Sequence, residues 1–365
     1  MYTVDQIKHI EWELSTKCNA ACPQCVRNHY GGATVKSLPL ISVTLDQVKT
    51  LVPWDKMSSL EMVYFCGTYG DPIANNELLE ICKWIKTHTK AAVALHTNGG
   101  LQSPKYWRKL AEHVDWCAFA IDGLADTNHV YRRNVKWHKV IANAKAFIDA
   151  GGEAKWDFIV FKHNQHQVDT ARQMSKDLGF TQFNYKKTMR FLDKSHNFLD
   201  KQPVLDDDQN VEYYLEMPTI DKYINNVGLN LQKIKQQYGN FHTYANLTSI
   251  TCFANHERKL YIGADGYVFP CGWLADRQYG IDVEQHPDHK KLKLLWQQLG
   301  GAHLANLYHT PLQTIVEQTW FQQLESSWTN QDRLERCGAQ CGAGTNHIGD
   351  QNIDVDYIPK LTMQK

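Results

Sequence analysis

The chain has 365 residues with 39 Lys+Arg and 39 Asp+Glu, so its formal net charge is zero. That balance makes no electrostatic case for a dedicated nucleic-acid or membrane-surface protein. Hydrophobic residues at 43% suit a globular chain of two or three domains, and no apolar run is long enough to span a bilayer.

The opening MYTVDQIKHIEWEL lacks a basic segment followed by an apolar one, so no signal peptide is expected and the chain is read as cytoplasmic. In a reducing compartment its ten cysteines should bind metal or do chemistry rather than pair as disulfides.

The first half alternates short apolar runs with amphipathic segments. Strands are predicted at Ile10–Leu14, Leu60–Phe65, Ala92–His96, Trp116–Ile121, Phe158–Phe161 and Phe183–Lys186. Several are nearly continuous in apolar residues, as parallel strands covered on both faces should be. Between them, Leu78, Ile81, Cys82 and Ile85 fall on one helical face after Asn75 and Asn76. Val168, Ala171, Met174 and Leu178 do the same after Asn164, and Gly179 is a good stop. Such strand–helix units imply repeated right-handed βαβ crossovers, and six of them suit a partial barrel better than a closed eight-stranded one.

The pattern breaks near residue 190. Asp200–Gln209 is polar and acidic, carries Pro203, and reads as a linker. Helical stretches follow over Val211–Tyr238 with no assigned partner. From Cys252 the style changes, and Lys259–Ile262 and Tyr267–Phe269, joined by Ala264-Asp265-Gly266, read as a hairpin.

The cysteines are clustered. Cys18, Cys22 and Cys25 lie directly after the first strand, where the loops of a barrel-like α/β fold carry chemistry. Three thiolates on one tight loop can hold three irons of a cubane cluster and leave the fourth open. The alternative is a zinc site completed by a neighbour such as His29. In the last third, Cys252, Cys271, Cys337 and Cys341 can close one tetrahedral all-cysteine site, and composition does not separate zinc from [4Fe-4S] there. Cys82 and Cys117 read as core residues. Cys66 stands at the end of the second strand.

With its C-x-x-x-C-x-x-C spacing after strand one, the chain resembles the radical S-adenosylmethionine (radical SAM) superfamily. The resemblance implies an α/β fold, a partial (β/α)6 TIM-like barrel. It implies a [4Fe-4S] cluster that binds S-adenosylmethionine and, once reduced, cleaves it to a 5'-deoxyadenosyl radical that abstracts hydrogen from substrate. An aromatic residue usually precedes the third cysteine in the family; here it is Gln24, which can hydrogen-bond beside the adenine instead.

Cys66-Gly67-Thr68-Tyr69-Gly70-Asp71-Pro72 looks like the family's Gly-Gly-Glu-Pro loop, with Gly67 and Gly70 allowing close approach and Asp71 receiving the cofactor's ammonium. His96-Thr97-Asn98-Gly99-Gly100 and Ile121-Asp122-Gly123 resemble further family segments. By that resemblance Asn98 and Asp122 face ribose or substrate, and Arg132 or Arg133 pairs with the cofactor carboxylate.

The C-terminal hairpin and cysteines look like the family's SPASM extension or its shorter relative, twitch. Four cysteines suit a twitch/SPASM-like α+β domain with one auxiliary [4Fe-4S] cluster, although the closing pair is spaced C-x-x-x-C where C-x-x-C is more usual. The expected organisation is a barrel over 8–190, a linker and helical segment over 191–245, the auxiliary domain over 246–350 and a tail over 351–365.

The implied activity is hydrogen abstraction from a peptide, protein or small molecule, with a flavodoxin- or ferredoxin-type low-potential electron donor and no membrane or clear nucleic-acid partner. A non-catalytic zinc-binding scaffold is the alternative, and it leaves the Gly-Asp-Pro and Asp-Gly loops unexplained.

Overall fold

The structure, a computed structural model, describes residues 1–188, 190–193, 197–225, 227–317, 320–329, 333–342 and 353–357. Six strands build its centre: β1 (His9–Trp12), β2 (Met62–Phe65), β3 (Ala92–Thr97), β4 (Trp116–Ala120), β5 (Glu153–Val160) and β6 (Gln182–Lys187). Each pairs in parallel with the next, from His9 opposite Met62 to Lys155 opposite Gln182. The predicted strands all form, but β5 begins at Glu153 rather than Phe158.

Alternation along the strands sorts the two faces. Ile10 and Trp12, Val63 and Phe65, Trp156 and Phe158 are buried, and Trp12 stacks on Trp54 at 6.4 Å between ring centroids. The outer helices carry the expected stripes: Leu78, Ile81, Cys82 and Ile85 on Leu78–His88, and Val168 and Ala171 on Val168–Asp177. Asn75 Oδ1 accepts from Glu77 N where the first of these begins, and its Nδ2 donates to Leu14 O and Val43 O, so it also ties two loops together.

The opposite, inward face corrects the expectation of strands covered by apolar residues on both sides. Cys66 Sγ lies 3.4 Å from Glu11 Oε1. The Tyr64 and Trp116 rings meet at 5.3 Å, and Lys155 Nζ sits 3.9 Å above the Trp116 ring. Asn184 and Lys186 both donate to Asp157. A closed barrel packs branched apolar layers inside. Here the six central strands leave the barrel open and line a polar groove.

Both edges of the parallel sheet are extended. β9 (Lys259–Ile262) pairs in parallel with β1, and β10 (Val268–Phe269) pairs antiparallel with β9 as the predicted hairpin. β11 (Ile353–Tyr357) pairs antiparallel with β6, so the expected tail contains a strand of the main sheet.

The expected linker is structured and the start of the expected helical stretch is a strand: β7 (Lys201–Leu205) and β8 (Val211–Glu216) form an antiparallel ribbon. Pro203 is tolerated because a two-stranded ribbon leaves edge positions that need no N–H donor. The acidic stretch makes the turn, where Asp206 accepts from the Asn210 N–H. Helices Val227–Tyr238 and Phe241–Leu247 pack with Ala339 through Leu231, Ile234, Phe241 and Tyr244. They belong with the C-terminal cysteines, and a boundary at 245 would cut the second helix. Of the expected 246–350 and 351–365 segments, residues 343–352 and 358–365 lie outside the described residues. No helix among the described residues is long and apolar enough to cross a membrane.

Candidate active site

The loop after β1 carries Cys18, Cys22 and Cys25. All three line one cavity of about 210 Å³ at the C-terminal ends of the barrel strands, together with Gln24, Gly67, Gly70, Asp71, Asn98 and Arg132. Burial pushes the Cys18 thiol up, with Asp71 and Cys22 adding to the effect. Cys22 is pushed up to about 11 by burial, against the neighbouring Arg132 charge. Thiols in that setting ionise when a metal replaces their protons. Arg27, buried two residues after Cys25, holds the loop by donating from Nη1 to Thr16 O at 3.1 Å and to Tyr69 O at 3.2 Å. Gln24 bridges two walls: its Nε2 donates to Gln202 Oε1 on β7, and its Oε1 accepts from Thr188 Oγ1.

The Gly67–Asp71 loop crosses the start of the triad loop so closely that a Cβ at Gly70 would overlap Ser15 O. Beneath it sits Glu13, which the sequence reading passed over. Its Oε1 accepts from Tyr69 N at 2.7 Å and Gly70 N at 2.8 Å, and its Oε2 accepts from Tyr261 OH at 3.0 Å. Burial raises its pKa to about 7 against those hydrogen bonds. Asp71 stands at the end of the same loop. It faces the cavity, but its Oδ1 accepts from Thr97 Oγ1 and Ile73 N, and its Oδ2 accepts from Asn98 N at 2.8 Å. Burial holds its pKa above the ordinary carboxylate value.

The loops after β3 and β4 complete the rim. Asn98 Nδ2 donates to Cys18 Sγ at 3.6 Å and to Asn19 Oδ1 at 3.0 Å. Asp122 is fully buried and accepts from Arg132 Nε at 2.5 Å, while Arg132 Nη1 reaches Cys22 Sγ at 3.5 Å. Asp122 itself is behind the cavity wall rather than among the groups lining it. The two candidate arginines part company. Arg133 turns away from the cavity to pair with Glu212 and to lie over the Tyr213 ring on β8.

The family model that describes the radical SAM superfamily matches residues 12–172, the span that holds the triad and all three rim loops. Residues 12–172 are a radical SAM domain. The chain is 24% identical over 176 residues to the mycofactocin maturase MftC of Mycolicibacterium smegmatis, which is 47% of this chain and 42% of that protein. It is 26% identical over 126 residues to the tungsten-containing aldehyde ferredoxin oxidoreductase cofactor-modifying protein of Pyrococcus furiosus, 34% of this chain and 33% of that one. The chain thus spans less than half the length of these curated relatives. The solved structure of hexahistidine-tagged anSMEcpe with bound AdoMet superposes with a TM-score of 0.50 at 16% identity, over 85% of this chain and 77% of that one, which supports the shared fold.

The radical SAM cavity has one further wall that sequence reasoning missed. Asp157 on β5 is approached by His96 Nε2 of β3 at 3.1 Å, Lys186 Nζ of β6 at 2.6 Å and Asn184 Nδ2 at 2.8 Å. Ala118 and Ala120 on the intervening strand are small, which leaves room for His96 to reach across. Burial pushes Asp157 up, but His96 and Lys186 outweigh it and hold the carboxyl far below the ordinary range. Charged residues at alternate positions inside apolar strand runs were the available signal. Cys66 does not line this cavity, and Cys82 and Cys117 are fully buried in the core.

Cys252, Cys271, Cys337 and Cys341 line a second, much smaller cavity of about 20 Å³. Cys337 and Cys341 lie on the helix Glu335–Cys341, and their i, i+4 spacing places both on one face. The C-x-x-x-C spacing of the closing pair is thus a helical one. A Cβ at Gly338 would overlap Ala245 O, so the glycine lets the helix press against Phe241–Leu247. Hydrogen bonding from Cys341 holds the Cys252 thiol below its ordinary value, and burial pushes Cys271 up to about 12. Among the described residues, no group of three or more His, Cys, Asp or Glu side chains has the spacing of a ready-made single-ion site. Arg336 also lines this cavity, pairs with Asp276 and lies 5.0 Å from the Trp273 ring centroid.

Proposed function

We propose that this protein is a radical SAM enzyme that takes a hydrogen atom from a peptide, protein or small-molecule substrate. The observation that carries the reading is the convergence of Cys18, Cys22 and Cys25 with the three rim loops on one cavity. The donor set fits the group: three thiols on one loop beside open space are what an iron–sulfur cluster with one unligated iron needs. When bound, the cluster and S-adenosylmethionine supply one-electron reductive cleavage and the hydrogen-abstracting radical.

The chain's own residues do the rest. Gly67 and Gly70 bring backbone close to the cofactor, and Glu13 fixes that backbone from below. Asp71 faces the cofactor ammonium while tying the second loop to the third. Arg132 is the arginine on the cofactor side. His96, Asp157 and Lys186 present a polar wall, which supports a polar substrate group in the barrel groove.

The convergence of Cys252, Cys271, Cys337 and Cys341 supports one auxiliary [4Fe-4S] cluster in a twitch-like unit, serving oxidation or substrate anchoring. An external low-potential donor of flavodoxin or ferredoxin type supplies the electron. Anaerobic reconstitution tests the reading. A brown protein with about eight irons per chain and matching sulfide, which forms 5'-deoxyadenosine on reduction, is the expected result. A colourless, zinc-loaded protein without cleavage contradicts it.

A further inference from the structure

Two residues that the family resemblance assigns to the cofactor make their contacts here with cysteine sulfur. Asn98 Nδ2 has two hydrogens, and its two partners are Cys18 Sγ at 3.6 Å and Asn19 Oδ1 at 3.0 Å. Its Oδ1 accepts from Gly100 N at 2.8 Å, which fixes the orientation of the amide. No donor of Asn98 is left for a ribose hydroxyl. Arg132 points Nη1 at Cys22 Sγ, 3.5 Å away, while Asp122 holds its Nε. Asp122 is itself locked in place by the Ile159 N–H. Cys18 also accepts from Ala20 N at 3.3 Å. Among the described residues Cys25 receives no such side-chain donor.

We propose that Asn98 and Arg132 are positioning residues that act through Cys18 and Cys22, raising the reduction potential of the triad's cluster by N–H···S hydrogen bonds. The inference rests on the radical SAM reading of the triad. Its physical basis is general. Reduction adds negative charge to a thiolate-ligated cluster, and hydrogen bonds to the sulfurs, like nearby positive charge, favour the more negative state. Arg132 supplies both a donor and a charge, and Asn98 supplies a donor alone. Arg132 should therefore have the larger effect.

The test is a redox titration of the reconstituted full-length protein, followed by electron paramagnetic resonance without S-adenosylmethionine, so that no cofactor contact contributes. Wild type is compared with Asn98→Ala, Arg132→Lys and Arg132→Met. At the potential that half-reduces the wild-type triad cluster, Arg132→Met should lower the reduced-to-oxidised ratio about tenfold, equivalent to 59 mV for a one-electron couple. Asn98→Ala should lower it severalfold. Arg132→Lys, which keeps the charge, should fall between wild type and Arg132→Met.

Iron content retained with an unchanged potential in Asn98→Ala and Arg132→Lys would overturn the proposal, and would do so even if Arg132→Met failed to fold over the buried Asp122. Lost iron with an unchanged potential in the remaining clusters would assign the residues a purely structural role and overturn it too. The absence of any reducible cluster in wild type would instead defeat the parent reading, and this inference with it.

Discussion

Asp157 and Glu13 are two buried carboxylates whose surroundings push them in opposite directions. Asp157 is held far below its ordinary range by His96 and Lys186 despite its burial. Replacing it with Asn leaves the Lys186 charge largely buried without its counter-ion, and breaking such a pair costs about 3 kcal/mol. Anaerobic chemical denaturation of Asp157→Asn should show that loss at neutral pH.

Glu13 has the opposite sign. Its pKa rises from 4.5 to about 7 on folding, chiefly through burial. The native state therefore binds the proton more tightly, and the contribution is fully present below about pH 4.5 and is lost as pH rises through 7. Across that window the wild type should lose on the order of 3 kcal/mol through this group. Glu13→Gln keeps a carbonyl oxygen for the Tyr69 and Gly70 N–H groups but carries no charge. Its stability should be flatter between pH 5 and 7.5, and an unchanged slope would show that another group is responsible.

At the scale of elements, the closest contacts are made by glycines where two backbones cross. A Cβ at Gly338 would strike Ala245 O in the neighbouring helix. Gly338→Ala should therefore push the Glu335–Cys341 helix off its partner at a cost of about 1–3 kcal/mol. It should also lower iron at the C-terminal site while leaving the triad loaded, as measured by iron and sulfide analysis.

The barrel was legible because its outward positions repeat apolar residues at the strand period, and the helices at theirs. Its polar lining was not, because Glu11, His96, Asp157 and Lys186 are single residues set among those same apolar runs. The β7–β8 ribbon was hidden by Pro203 and the acidic turn, which read as linker chemistry in the absence of a visible partner strand. The cysteine sets were plain in the spacing. What the sequence could not reveal is where the polar groups around them spend their hydrogen bonds. Asp71 looks like a free carboxylate until Thr97 and Asn98, 26 and 27 residues away, are seen to donate to it. Arg132 and Arg133 are equivalent until β8 supplies Glu212 and Tyr213 to draw one of them away.

On the scale of the whole molecule, the C-terminal unit is continuous with the barrel, since β9 adds to β1 in register from His9–Lys259 to Trp12–Ile262. The two cysteine sites thus share one sheet, with β1 leading into the triad loop and the β9–β10 hairpin leading into Cys271. The second edge is extended by β11, so that β10 and β11 are the outermost strands of the sheet among the described residues.

On the proposed reading, the radical is made at the triad, and the C-terminal thiols serve the later oxidation or anchoring of the substrate. Replacing Cys252, Cys271, Cys337 and Cys341 with Ala should remove about half of the iron while leaving some uncoupled cleavage of S-adenosylmethionine. The central claim is tested most directly by 5'-deoxyadenosine formation in the variant with Cys18, Cys22 and Cys25 all changed to Ala, reconstituted anaerobically and reduced beside wild type. Product from wild type and none from the variant, with the C-terminal iron retained, is the predicted result. Continued formation of 5'-deoxyadenosine by the variant would contradict the assignment of the triad.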